Sequence, residues 1–237
     1  MRILHSYADA QSIMDKDAKL LEDLAYDQRA CLHLYEWKNP SITYGHFIKI
    51  EKMLQLEELK NHKIDLAKRP TGGGVIFHLY DYAFSFLLPS KSPFFSDRPI
   101  ENYRFVHEIL TKALSDIFPK KASYLLQNDP IDSTTAANFC MAKPTIYDLM
   151  MDEKKIAGAA QRKKNHGYLH QGTISITRPD PLLLKKILVD SEEVEAKMQN
   201  NGFYLLDQNS SLEEILIIKE KIKKQLITSF SEVFSKE

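Results

Sequence analysis

The chain has 237 residues, of which 43% are hydrophobic, and its 32 lysines and arginines balance its 32 aspartates and glutamates. This length and composition predict a folded protein with a sizeable core, and the balanced charge argues against a nucleic-acid binder that acts through bulk electrostatics. Because we find no secretory leader, no apolar run of about 18 residues and only two distant cysteines, we expect a cytoplasmic protein with neither a membrane partner nor a cysteine metal site.

The first half of the chain mixes predicted helices and strands. Apolar residues at helical spacing predict an amphipathic helix over residues 9–28, and β-branched and aromatic runs predict strands at 31–37 and 41–44. The same criteria predict four further elements, which are a helix at 51–62, strands at 64–67 and 82–88, and a helix around 106–117.

The second half begins with a polar segment, 128–138, which is typical of a loop and is a candidate for a mobile active-site loop. Three runs at 145–151, 155–161 and 168–176 then predict strands, and their short connections predict antiparallel pairing. From about residue 180 the chain is predicted to be helical, including 212–230. We expect one α+β domain over 1–237, without a separate large second domain.

Residues 68–78 combine a basic pair, three successive glycines and an apolar run at the junction of two predicted strands. Glycines let the backbone approach a ligand closely, and successive N–H groups in a turn form a concave anion site. Lys68 and Arg69 would add positive charge at its rim. The alternative is a hairpin turn with a solvated basic flank.

Three motifs, in this order, carry a basic or polar residue followed by glycine: Arg69-Pro-Thr-Gly-Gly-Gly, Lys155-Ile-Ala-Gly and His170-Gln-Gly-Thr. Their order and spacing resemble the lipoate-protein ligase A and lipoyl/octanoyl transferase superfamily, which is related to biotin protein ligases. The segment 37–45, which ends at Gly45, also resembles that family. The resemblance implies a biotin/lipoate protein ligase-like catalytic domain, with mixed, largely antiparallel sheets packed with helices.

The resemblance also implies roles for individual residues. Lys155 would be catalytic and would stabilise charge during acyl transfer, although a lysine after a polar turn is often only solvated. The residues expected to bind substrate or nucleotide are Gly45, Arg69, Thr71, Gly72, Gly73, Gly74, His78, Asp148, Gly158, His170, Gly172 and Thr173. His78 could instead be a satisfied histidine at a strand end, and Thr71 could only support the turn.

The implied activity joins a lipoyl or octanoyl group to one lysine of a lipoyl domain, on an E2 subunit of a 2-oxoacid dehydrogenase or on the glycine cleavage H protein. A ligase would activate lipoate or octanoate with ATP and Mg²⁺ as an acyl-adenylate, with Asp148 as a metal ligand. A transferase would need no cofactor and would take octanoate from acyl carrier protein through a thioester on Cys140.

The bare Gly74 favours the ligase, because several transferases carry a bulkier residue there and a phosphate could lie against the glycine. Tyr147, which stands where many ligases have asparagine, favours the transferase. We take the ligase as the main interpretation and the transferase as the alternative. A third hypothesis is a protein that binds acyl chains or lipoyl domains without catalysis.

Overall fold

The computed structural model describes residues 1–118, 123–124, 138–146 and 148–235. These residues form two β-sheets and six α-helices. In chain order the helices are α1 (Ala10–Asp23), α2 (Leu56–Asn61), α3 (Pro99–Ile117), α4 (Pro181–Ile187), α5 (Ser191–Asn201) and α6 (Leu212–Phe234). None of the described helices is both long and apolar enough to cross a membrane.

The larger sheet has seven strands and a mixed but mainly antiparallel arrangement. Its spatial order is β1 (Arg2–Ala8), β2 (Cys31–Trp37), β6 (Asp81–Pro89), β10 (Gly167–Ser175), β9 (Lys154–Lys164), β8 (Leu149–Met151) and β7 (Ser123–Tyr124). Only the pair β1 and β2 is parallel among these described strands.

The smaller sheet has three strands in the order β4 (Asp65–Lys68), β3 (Ser41–Tyr44) and β5 (Val75–His78). β3 is parallel to β4 and antiparallel to β5. The glycine loop, residues 69–74, joins β4 to β5, so the predicted junction between two strands is confirmed.

Side chains of the larger sheet alternate between two differently packed faces, as the pleat of a strand requires. Phe84 and Phe86 of β6 point into the main core with α3 and α6, whereas Ala83 packs with residues of α1. Ser85 also faces α1, where it contacts Asp17. The glycine loop lies on the α1 face, so this is the face on which the candidate site is built.

The mixed α+β architecture and the strands at 31–37 and 41–44 are confirmed. The predicted helix at 51–62 is interrupted, because a 3₁₀ turn at Ile50–Lys52 precedes α2. The predicted strand at 145–151 forms only over Leu149–Met151, because the Thr145 backbone and hydroxyl instead close a turn onto Asp148. Most of the polar segment 128–138, and Tyr147, lie outside the described residues.

Candidate active site

The glycine loop lies directly against the end of β3. Gly45, the residue after β3, donates its backbone N–H to the Gly74 carbonyl oxygen at 3.3 Å. A Cβ on Gly45 would lie 2.0 Å from the Gly73 oxygen, and Gly73 itself has a φ of 84°, which favours glycine. The close packing of two backbone segments therefore explains why glycines are needed on both sides of this contact.

Arg69 lies beneath the loop. One terminal nitrogen donates to the Thr43 hydroxyl at 2.8 Å, and the other donates to the carbonyl oxygens of Gly72 and Gly74 at 3.0 and 2.7 Å. Burial lowers the pKa of Arg69, while its interactions with the Cys140 sulfur act in the opposite direction. The expectation that Arg69 adds charge at the rim of the loop is corrected: the side chain is buried beneath the loop because the loop carbonyls need a donor.

Cys140 packs against the other end of the loop. Its N–H donates to the Val75 carbonyl at 3.0 Å, and the residue is only partly buried. A Cβ on Gly74 would lie 2.0 Å from the Asn138 carbonyl oxygen and 3.5 Å from the Cys140 nitrogen. The segment that carries Cys140 therefore occupies the space that a side chain at position 74 would need.

Lys155 reaches the same place from β9. Its Nζ donates to the Cys140 carbonyl oxygen at 2.6 Å and forms an ion pair with Asp148 at 2.7 Å, and both charged side chains are buried. A Cβ on Gly158 would lie 2.6 Å from Lys155 Cε and 2.8 Å from its Nζ, so this glycine makes room for the lysine. The structure thus brings Lys155 to the glycine loop, with Cys140 between them.

The Asp148 carboxylate oxygen that pairs with Lys155, Oδ2, also accepts two further hydrogen bonds. Besides the ammonium, its Oδ2 accepts from the Thr145 backbone N–H at 2.6 Å and from the Thr145 hydroxyl at 3.0 Å. Burial raises the pKa of Asp148, although the Lys155 charge opposes this shift. These donors surround Oδ2, and the role of Asp148 as a Mg²⁺ ligand stays a prediction. No cluster of three or more metal-ligating residues occurs in the described part of the chain.

His78 and Thr173 belong to a buried chain of hydrogen bonds behind Arg69. Thr43, which accepts from Arg69, is 2.8 Å from His78 Nε2, and His78 Nδ1 is 2.6 Å from Asp81. Thr173 donates to the same Asp81 oxygen. Burial alone would raise the pKa of Asp81, but His78 and Thr173 outweigh it and lower that pKa. Both predicted residues therefore brace the arginine that holds the loop.

His170 and Gly172 face the main core instead of the glycine loop. The His170 ring centroid lies 5.5 Å from that of His107 and 5.6 Å from that of Tyr103, both on α3. A Cβ on Gly172 would lie 2.6 Å from the Phe84 ring. Burial lowers the pKa of both histidines, that of His107 to about 3. These two predicted residues are not brought together with the glycine loop.

Gln171 and Asp17 contact the site, although the sequence analysis did not select them. Gln171 Oε1 accepts from the Thr71 hydroxyl at 2.7 Å, and Gln171 Nε2 donates to Asp17 at 2.7 Å. The sequence signal for Asp17 is its place among the apolar residues that α1 buries, where a carboxylate requires partners. Gln171 follows His170, and strand alternation turns adjacent side chains to opposite faces.

The chain is similar in sequence to known proteins. The sequence profile of the family described as "Lipoyl protein ligase A/B catalytic domain" matches residues 9–231. The octanoyltransferase LipM of Halalkalibacterium halodurans is 23% identical over 208 residues, covering 86% of this chain and 75% of that protein. LipM of Moorella thermoacetica is 25% identical over 225 residues, covering 93% of this chain and 81% of that protein.

Two solved structures show the same fold. A bi-partite lipoate protein ligase from Thermoplasma acidophilum, studied with its E2 lipoyl domain, has a TM-score of 0.71 and 21% identity, covering 99% of this chain and 83% of that one. A lipoate-protein ligase A bound with ATP has a TM-score of 0.69 and 22% identity, covering 99% and 85%. The profile match spans nearly the whole sequence, and the chain therefore belongs to the lipoyl protein ligase A/B catalytic domain family.

Proposed function

We propose that this protein is an octanoyltransferase that carries the acyl group on Cys140 as a thioester. The observation that carries the proposal is the position of Cys140, whose N–H donates to the Val75 carbonyl next to the glycine loop and whose carbonyl oxygen accepts from Lys155 at 2.6 Å. Cys140 is only partly buried, so its thiol is accessible, as a nucleophilic cysteine must be. Cys31, in contrast, is buried within β2, and burial raises its pKa.

The geometry of Gly74 removes the sequence argument for the ligase. The ligase was favoured because a phosphate could lie against a glycine at position 74. A Cβ on Gly74, however, would lie 2.0 Å from the Asn138 carbonyl oxygen. Internal packing is therefore sufficient to require glycine at this position. The relatives described above, which are named octanoyltransferases, also support the transferase alternative over the ligase.

In the proposed first step the Cys140 thiolate attacks the octanoyl thioester of acyl carrier protein, and the carrier thiolate leaves and takes up a proton. In the second step the target lysine of a lipoyl domain attacks the Cys140 thioester. The amide forms, the amine loses a proton, and the Cys140 thiolate is released. Lys155 uses two of its three N–H donors on Cys140 and Asp148, which leaves one for the developing oxyanion.

The acceptor in this proposal is a lipoyl domain of an E2 subunit or the glycine cleavage H protein. The structurally similar Thermoplasma ligase was studied with its E2 lipoyl domain, which supports this class of partner. The test mixes the purified protein with each apo acceptor and measures acyl addition by intact mass. We expect octanoylation from octanoyl carrier protein without ATP, and its loss in Cys140→Ser.

Two results would contradict the proposal. Modification that requires free lipoate and ATP, and persists in Cys140→Ser, would identify a ligase. Binding of the acceptor without acyl addition under either condition would identify a non-catalytic binder. Full transfer by a Cys31→Ala variant provides the matched control, because the proposal gives that buried thiol no part in the reaction.

A further inference from the structure

A continuous line of buried hydrogen bonds runs along one face of the larger sheet, from α1 to the glycine loop. Asp17 Oδ2 accepts from Gln171 Nε2 at 2.7 Å and from Ser85 at 2.5 Å, while its other oxygen is 2.7 Å from His33 Nδ1. Gln171 then accepts from the Thr71 hydroxyl at 2.7 Å. Asp17 and His33 are fully buried and Thr71 is 1% exposed, so water does not compete for these bonds.

Each hydrogen bond between Asp17, Gln171 and Thr71 has only one possible donor and one possible acceptor. A carboxylate oxygen can only accept, so the amide of Gln171 must turn its Nε2 toward Asp17 and its Oε1 toward Thr71. The Thr71 hydroxyl consequently donates its proton to Gln171, away from the loop. Asp17 thereby determines the orientation of a side chain that is 154 positions later in the sequence and, through it, the rotamer of Thr71.

Thr71 is well placed to transmit this constraint to the loop. Its carbonyl oxygen accepts the backbone N–H of His46 at 3.2 Å, which ties the loop to the end of β3. The carbonyl oxygens of the next residues, at 72 and 74, are those held by Arg69. A shift at Thr71 would therefore move the arginine and the loop, whose Gly74 packs against the segment that carries Cys140.

We propose that Asp17 and Gln171 are positioning residues for acyl transfer, which act through Thr71 to hold the glycine loop and Arg69 in register with Cys140. This inference rests on the proposed function, because it assigns the geometry of Cys140 to that reaction. A displacement of about 1 Å at a reacting group commonly costs from tenfold to a hundredfold in rate.

The test is a double-mutant cycle of Asp17→Asn and Thr71→Val, with kcat and KM of octanoyl transfer as readouts. We expect Asp17→Asn to lower kcat about tenfold with little change in KM. In the Thr71→Val background the same substitution should change kcat by less than about twofold, because the line is already broken. Asp15→Asn, on the exposed side of the same helix, is the matched control and should change neither value.

If Asp17→Asn lowers kcat by the same factor in the wild type and in Thr71→Val, the inference is overturned, because Asp17 then acts independently of Thr71. If Asp17→Asn fails to fold, Gln171→Met replaces it in the same cycle. The rate at which iodoacetamide alkylates Cys140 gives a second readout that needs no acyl transfer. A wild-type protein without transferase activity would refute the proposed function, whereas the alkylation cycle would still decide the positioning role.

Discussion

Gly72 and Gly74 are two residues apart in the same loop, but a side chain has different consequences at each. No atom of the described residues lies within 4 Å of a Cβ at Gly72, whereas a Cβ at Gly74 would be 2.0 Å from Asn138 O. We predict that Gly74→Ala lowers the free energy of unfolding by about 1–3 kcal/mol and reduces octanoyl transfer, because it displaces the segment that carries Cys140.

Gly72→Ala is the matched control, and it should retain both stability and transfer. Thermal unfolding and the transfer assay measure the two effects on the same samples. If Gly72→Ala abolishes transfer while Gly74→Ala is tolerated, the loop does not pack as described, and direct contact of Gly72 with a ligand becomes the better account.

Lys155 and Lys154 are adjacent lysines with opposite surroundings. Lys155 is buried between Cys140 and Asp148, whereas Lys154 is exposed and donates to the Gln199 carbonyl at 3.2 Å. We predict that Lys155→Met lowers kcat by about 10²-fold or more, because it removes a preorganised donor from the site of the oxyanion. Lys154→Met should leave kcat near the wild-type value, and equal losses in the two variants would contradict the role given to Lys155.

The N-terminus of α6 shows how much a short sequence signal can predict. Ser211 accepts from the Glu214 N–H, and the Glu214 carboxylate accepts from the Ser211 N–H and hydroxyl, which forms a capping box. We predict that Ser211→Ala lowers Tm by about 2–4 °C, whereas the adjacent Ser210→Ala does not change it. An unchanged Tm in Ser211→Ala would show that packing alone fixes this helix.

The same capping box predicts how the stability of the protein changes at low pH. Backbone and side-chain hydrogen bonds from Ser211 lower the pKa of Glu214. Its contribution to stability is therefore present above the carboxyl's ordinary pKa and is lost as the pH falls through the lowered value. The Tm difference between Ser211→Ala and the wild type should shrink in strong acid, and a difference that grows there would contradict this assignment.

A buried histidine where α3 packs on β10 predicts a second pH dependence of stability, which comes from a base instead of a carboxylic acid. Burial, assisted by the Lys155 charge, lowers the pKa of His107 to about 3, below that of a histidine in the unfolded chain. The unfolded chain binds the proton more readily, so stability is lost as the pH falls from about 6.5 toward about 3. His107→Phe should reduce the fall in Tm between about pH 7 and about pH 5, and an unchanged fall would contradict it.

Periodicity predicted helices with one apolar face, such as α3 and α6, and runs of strand character with short connections predicted the pair β9 and β10. It missed β1, whose residues are only partly buried because the strand lies at the edge of the larger sheet. It also continued a helix through residues 51–62, where the 3₁₀ turn and the following break depend on contacts with Ile187 and Val189. Such contacts between distant segments leave no local pattern.

The whole molecule explains which site residues could be found from the sequence. The motifs predicted a glycine loop and Lys155, and the fold brings them together around Cys140 because β9 and the 138–140 segment meet there. The direction of each side chain depended on strand pairing, which a single sequence does not provide. His170 was therefore selected instead of its neighbour Gln171, and Arg69 was expected at the rim of the loop instead of beneath it.

The central claim is that Cys140 carries the acyl group, and the most direct test is the intact mass of the protein after a brief reaction with octanoyl carrier protein, without ATP and without acceptor. The account predicts the addition of one octanoyl group, located on Cys140 by peptide mapping, absent in Cys140→Ser and discharged when an apo lipoyl domain is added. Transfer to the lipoyl domain without such an adduct, or an adduct on any other residue, would contradict it.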